Sequence, residues 1–190
     1  MKLTVPTVLA WQFDSVDRIA SEISATANEM RSHTSDVRQL VKQSSSSLRG
    51  ATGEAFRRVI GSENSSYDEV SDLLQDFAQH ITSYGRSLEG SVRSVRAIAD
   101  EVGKSPFDLF LTDDGRVLSR KTEKQIVIEY GQEYSDNVWP AIRTTTDQLT
   151  DALRFAMKEI ERIDNEAAGK FSDIAEKTKL LVNDIARSRR

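Results

Sequence analysis

Apolar residues recur in steps of three and four along most of this chain, and that spacing predicts long amphipathic helices. Between Asp14 and Ser47 they fall at Val16, Ile19, Ile23, Ala27, Met30, Val37, Leu40 and Val41, which predicts a helix over 14–47 with one buried stripe. Asp14 or Ser15 can cap its start. The serines from Ser44 to Ser47 compete for backbone hydrogen bonds and should end it. A second and cleaner stripe runs from Phe56 through Ile60, Tyr67, Val70, Leu74, Phe77, Ile81, Tyr84 and Leu88 to Val102, predicting a helix over 54–102. At 1.5 Å per residue such a helix would be roughly 70 Å long.

The stretch 48–53, Leu-Arg-Gly-Ala-Thr-Gly, separates the two stripes and is expected to form a turn. Gly50 and Gly53 permit positive φ there, and Leu48 can fill the space between the helix ends. If the helices pair antiparallel about residue 51, the numbers of facing residues should sum to about 102, because both helices rise equally per residue. The first helix then covers the second only as far as Leu88. The far end of the stripe, Val92, Val95, Ile98 and Val102, needs another cover. Trp11 and Phe13 lie near one end of it, and the C-terminal half of the chain can supply the rest. A helix from another protein would bury the same residues, so Val92, Val95, Ile98, Val102 and Trp11 are the candidate partner-binding positions.

Gly103 and Pro106 end the second helix. Alternation around Phe107, Leu109 and Leu111, the turn signal Asp113-Asp114-Gly115, and the return Val117-Leu118-Ser119 predict a small β-hairpin over 107–119. Thr122 and Gln125 have capping-box spacing. Helical phase then continues from Val127 to Ile185, which predicts one helix over 122–187, with a kink near 136–140 where Pro140 removes a hydrogen bond. The expected fold is all-α: an elongated helical hairpin plus a long third helix, forming a three-helix bundle with a β-hairpin insertion, in a single elongated domain over 1–190.

Composition narrows the function. The chain is 38% hydrophobic and 29% charged, with a net charge of -4, which disfavours a nucleic-acid surface. There is no cysteine, hence no disulfide and no thiolate chemistry. The apolar N-terminal run is short, broken by Pro6 and followed by Asp14 and Asp17, so it is expected to be an ordered lead-in rather than a signal peptide. No stretch approaches the ~20 apolar residues of a membrane span. His33 and His80, the only histidines, fall many turns apart under the expected register and cannot share a metal. Serine nucleophile elbows and phosphate loops are absent, and the carboxylates suit solvated helix faces. The sequence is therefore expected to be non-enzymatic, without catalytic residues, cofactor or metal.

Leu48-Arg49-Gly50, followed by Ala51, Ala55 and Phe56 between two helical stripes, resembles the turn of the WXG and LXG superfamily of type VII secretion substrates. Leucine in the first position is similar to the LXG branch, whose domains resume with further helices after a break near the middle, where this chain has its hairpin. The resemblance gives Leu48, Gly50, Gly53 and Phe56 the role of the turn motif. It implies a bacterial protein that is cytoplasmic before export and then secreted or held at the cell surface without a cleavable signal peptide. Its implied partners are a small helical WXG-like or LXG-associated protein, or a second copy, together with the secretion ATPase; no nucleic acid and no stable membrane insertion are implied. In that branch a toxin domain follows such a segment, and no toxin activity carries over to this chain. The family's Y-x-x-x-D/E export signal is missing, since Tyr67 is followed by Asp72 and Tyr84 by Glu89, which leaves room for an escort that carries the signal. The alternative expectation is a structural or scaffolding helical protein, such as a phage tail or rod component.

Overall fold

A computed structural model describes residues 3–44, 47 and 49–188. The protein is all-α: 84% of the described residues are helical, with one two-stranded antiparallel sheet among them. In chain order the elements are α1 (Val5–Leu9), α2 (Val16–Ser44), α3 (Gly50–Lys104), β1 (Leu109–Leu111), β2 (Val117–Ser119), α4 (Glu123–Tyr130) and α5 (Gln132–Ser188). They form two compact units, each assembled from separated parts of the chain. One comprises Met1–Phe13 with Arg86–Asn165, and the other Asp14–Gly85 with Glu166–Arg190.

In the first unit the N-terminal segment is part of the core. Pro6 is tolerated because α1 has only begun there, and Val5 and Val8 are buried against Val92 and Val95 of α3 and Leu153, Ala156 and Ile160 of α5. Trp11 and Phe13 pack at the edge of this cluster, their rings edge-to-face at 6.4 Å. Arg96 of α3 donates to the carbonyls of Leu9 and Trp11, which satisfies carbonyls left free where α1 ends. A second cluster joins Val102, Leu109, Val117, Ile126, Ile142 and Leu149.

The predicted β-hairpin is present. Leu109 pairs with Ser119, Phe110 with Leu118 and Leu111 with Val117, and Gly115 supplies the turn with φ of 84°. Its second strand is tied to α5 by the Val117 N–H, which donates to Thr150 Oγ1 at 2.9 Å. Thr122 and Gln125 form the predicted capping box, and α4 starts directly after it. The expected single helix over 122–187 is divided: Gly131, at φ 89°, ends α4, and α5 begins at Gln132. Apolar phase runs on across this break, so periodicity could not locate it. Pro140 lies inside α5.

In the second unit α2 and the Gly50–Gly85 part of α3 are antiparallel, as expected. Thr34 bonds Asp68, Arg31 bonds Asp72 and Ser71 bonds Ala27, so facing numbers sum to 102, 103 and 98. The seam is built from small residues at sevenfold spacing. Ala20, Ala27 and Thr34 of α2 are buried, and so are Asn64, Ser71 and Ala78 of α3. Seven residues after Ala78 stands Gly85, whose missing Cβ leaves room for Val16. Small side chains at every seventh position let two helices approach more closely than leucines would. The larger residues of the stripes flank this seam, and most are only half-buried.

Candidate functional site

Val92 and Val95 are fully enclosed, Val102 is buried, Ile98 packs against both clusters of the first unit, and Trp11 closes the edge of one. This corrects their assignment as a partner-binding face. The chain itself covers the stripe, with α1 and α5 for Val92 and Val95 and with the hairpin, α4 and α5 for Val102. The N-terminal aromatic cover expected from the sequence is found.

The turn motif is placed only in part. Leu48 lies outside the described residues. Gly50 opens α3 with φ of 79°, the left-handed region that glycine enters without steric cost. Gly53, expected to share that role, is instead a buried residue within the first helical turn of α3. Phe56 is 42% exposed.

Phe56 belongs to a larger uncovered surface. On α3 it precedes Phe77 by 21 residues and Tyr84 by 28, both multiples of seven, so the three share one face in the sevenfold frame of paired helices. Farther along that face α5 is the cover: the Phe171 ring meets Phe77 at 5.1 Å and Tyr84 at 6.1 Å, both edge-to-face. Leu180 and Leu181 share a groove with Glu69 and Leu73. Continuing this antiparallel register with equal rise, Ser188 stands level with about residue 63 of α3. Phe56 and Val59 lie beyond that point and are exposed, Val59 at 57%.

The same loss of cover occurs on α2. Val16, Ile23 and Met30 are half-buried, but Val37, the next residue at sevenfold spacing, is exposed, as is Leu40 at 64%. A small, almost wholly apolar groove of about 240 Å³ lies between Met30, His33 and Val37 on one side and Asn64 and Tyr67 on the other. The turn end of the hairpin therefore carries exposed apolar residues on both helices, Val37 and Leu40 on α2 and Phe56 and Val59 on α3. Sequence reasoning did not separate these positions from the core, because Val37, Leu40 and Phe56 fall in the same stripes as the buried residues.

Charge of both signs lies around it: Arg38, Lys42, Arg49, Arg57 and Arg58, with Asp36, Glu54, Glu63 and Asp68. Arg38 pairs with Asp68. Partial burial works against the Asp68 charge, but hydrogen bonds from Arg38 and Thr34 outweigh it and hold the carboxyl below its ordinary range. In the first unit, hydrogen bonds from Lys121 similarly lower Glu129 and raise Lys121, on the surface. Such pairs account for the perturbed groups without invoking catalysis.

Among the described residues no three histidine, aspartate or glutamate side chains gather as metal ligands, and no helix is long and apolar enough to cross a membrane. His80 stacks on Tyr84 and lies 3.4 Å from Asp76, while His33 borders the small groove. Comparison with known proteins found no matching family model, no similar curated protein and no similar solved structure.

Proposed function

We propose that this chain is a non-enzymatic, type VII secretion-associated helical protein of LXG or WXG character, acting as a substrate, targeting domain or escort by packing its helices against a helical partner. The observation that carries this reading is the hairpin turn. Two amphipathic helices meet at Gly50, which takes positive φ at the glycine of the L-x-G sequence, and the apolar faces flanking that turn are open. Helices that leave apolar faces uncovered bind other helices by the contacts that build a bundle. The bacterial setting and export without a cleavable signal peptide belong to this proposal. The test is co-purification with the products of neighbouring genes, followed by export measured with and without a membrane-bound FtsK-like ATPase. Partner capture and ATPase-dependent export are expected; export that persists without the ATPase overturns the secretion reading.

A scaffolding role, as in a phage tail or rod, is the second reading. The 55 residues of α3 and 57 of α5 favour it. Tail or capsid genes beside this one, with assembly of the chain into particles, would replace the first proposal.

A further inference from the structure

We infer that the groove between residues 69–76 of α3 and 177–184 of α5 is the seat of a basic amphipathic helix from another protein. This rests on the partner-binding part of the function proposed above and not on the secretion route. The shape of the groove, its apolar middle and its charge carry the inference.

Both walls belong to the second unit, and they line a groove of about 520 Å³. On α3 the lining residues are Glu69, Asp72, Leu73 and Asp76. On α5 they are Lys177, Leu180, Leu181 and Asp184. Each set is spaced i, i+3, i+4 and i+7, so each is two turns of one helix face. A groove between two such faces is the geometry that receives a further helix. Leucine stands in the middle of each face and a charged residue at both ends. Leu180 is 58% exposed, and Leu73 and Leu181 are half-buried, so apolar surface stays open where α3 and α5 meet.

Charge selects the occupant. The groove is lined by four carboxylates and one ammonium, that of Lys177. The excess lies on α3, which has five acidic residues and no lysine or arginine between Arg58 and Arg86, whereas residues 166–188 hold four acidic and four basic residues. Arg31 and Arg38 of α2 answer two of the five, at Asp72 and Asp68, and Asp184 has a contact of its own within the chain. Glu69 makes no ion pair among the described residues, and Asp76 has as its neighbour His80, at 3.4 Å, which is charged only when protonated. Setting Lys177 against one of these two still leaves the groove acidic.

Unlike charge across an interface steers association and rejects like-charged competitors. A helix with leucine along one edge and lysine or arginine beside it matches the leucines in the middle of the groove and the carboxylates at its ends. A second copy in symmetric contact would bring two acidic grooves together, and an anionic bilayer would repel them.

The experiment uses the full chain and synthetic peptides of about 20 residues, long enough to hold a helix when bound. Two have leucine at the two inward heptad positions, flanked by lysine in one and by glutamate in the other. A third has the lysine peptide's composition scrambled so that no apolar face forms. Binding is measured by calorimetry at low and high salt. The lysine peptide is expected to bind at least about tenfold more tightly than either of the others, its lead over the glutamate peptide shrinking in salt. Leu180→Gln is expected to weaken that binding several-fold with unchanged circular dichroism. Glu69→Lys/Asp76→Lys, at two exposed positions, is expected to remove the preference for lysine over glutamate, and it decides the matter should Leu180→Gln unfold. Asp147→Lys/Asp151→Lys in the first unit makes the same change of net charge and is expected to leave the preference in place.

Equal binding of the lysine and glutamate peptides, or of the scrambled one, overturns the proposal. So does binding that neither Leu180→Gln nor the reversal at Glu69 and Asp76 alters, a preference lost in the Asp147 and Asp151 control, or dimerisation through Leu180 in sedimentation. These readouts are taken on purified protein, so they can succeed where ATPase-dependent export fails. Capture of a neighbouring gene product without binding of the lysine peptide would sink this inference alone.

Discussion

Ser71 and Ala27 meet across the hairpin seam: the serine hydroxyl donates to the alanine carbonyl at 2.6 Å, and both side chains are fully enclosed. The contact explains why serine occupies a core position. It is small enough for close approach, and its one polar atom finds an acceptor on the facing backbone. Ser71→Ala is expected to cost about 1 kcal/mol from the lost hydrogen bond. Ser71→Leu, although more apolar, is expected to cost more, about 1–3 kcal/mol, because it overfills the seam. Urea unfolding of the two variants checks the order.

Gly85 shows the same constraint at the other end of the seam. A Cβ there would overlap a methyl group of Val16. Alanine favours helix over glycine by about 1 kcal/mol, so a stabilised Gly85→Ala variant would mean that the overlap is relieved without cost. We expect the reverse, a lower melting temperature, with Val16→Ala recovering part of the loss in the double variant.

At Gly50 no neighbouring atom lies within 4 Å of the place a Cβ would occupy, so only the backbone resists substitution. Gly50→Ala is expected to destabilise by roughly 1 kcal/mol through its positive φ. Gly50→Val should do so by at least as much, and Gly50→Asn by less. Thermal melting that leaves Gly50→Val unchanged would mean that this turn does not constrain the hairpin.

Asp68 makes the hairpin acid-sensitive. Its folded-state carboxyl lies below the unfolded value, so the folded state favours the charged form. That contribution is present above the unfolded pKa of about 3.9 and is lost as pH falls through the lower folded value. Stability of Asp68→Asn should therefore approach that of the parent as pH drops below about 4 and differ most at neutral pH. Urea titrations at several pH values measure it; the difference should be within about 1 kcal/mol, since Arg38 is half exposed.

Leu153 and Ile160 anchor the first unit at zero exposure, whereas Phe155, between them in sequence, is 69% exposed. Truncating either buried side chain to alanine is expected to cost about 2–5 kcal/mol. Phe155→Ala is expected to stay within about 0.5 kcal/mol despite removing the larger group.

Much of the fold is legible in the sequence because its signals are local. Helical phase, the Thr122–Gln125 box and Asp113-Asp114-Gly115 each act over a few residues, and the Thr34–Asp68 pairing follows from a turn and a rise per residue. The break at Gly131 is not legible, because a single positive-φ glycine can sit in a run whose apolar phase continues. The candidate site is less legible still. Val92 and Phe56 belong to one stripe, and only the cover that α1 and α5 give decides that the first is sealed and the second is exposed. The small-residue seam could have been found by asking which residues recur every seven, since Ala20, Ala27 and Thr34 and their partners Ala78, Ser71 and Asn64 all do.

The placement of α1 also bears on how the chain emerges from the ribosome. Val5 and Val8 are made well before the side chains that enclose them, which include Leu153 and Ile160, some 145 residues later. Until α3 is made past Val95 these valines have no native contact within this cluster, and until α5 is made past Ile160 the cluster stays open. The α2–α3 hairpin, by contrast, has its first partner soon after Gly85 appears. The order of synthesis thus favours the hairpin as the earlier structure, with the N-terminal segment enclosed only after Ile160 has been made.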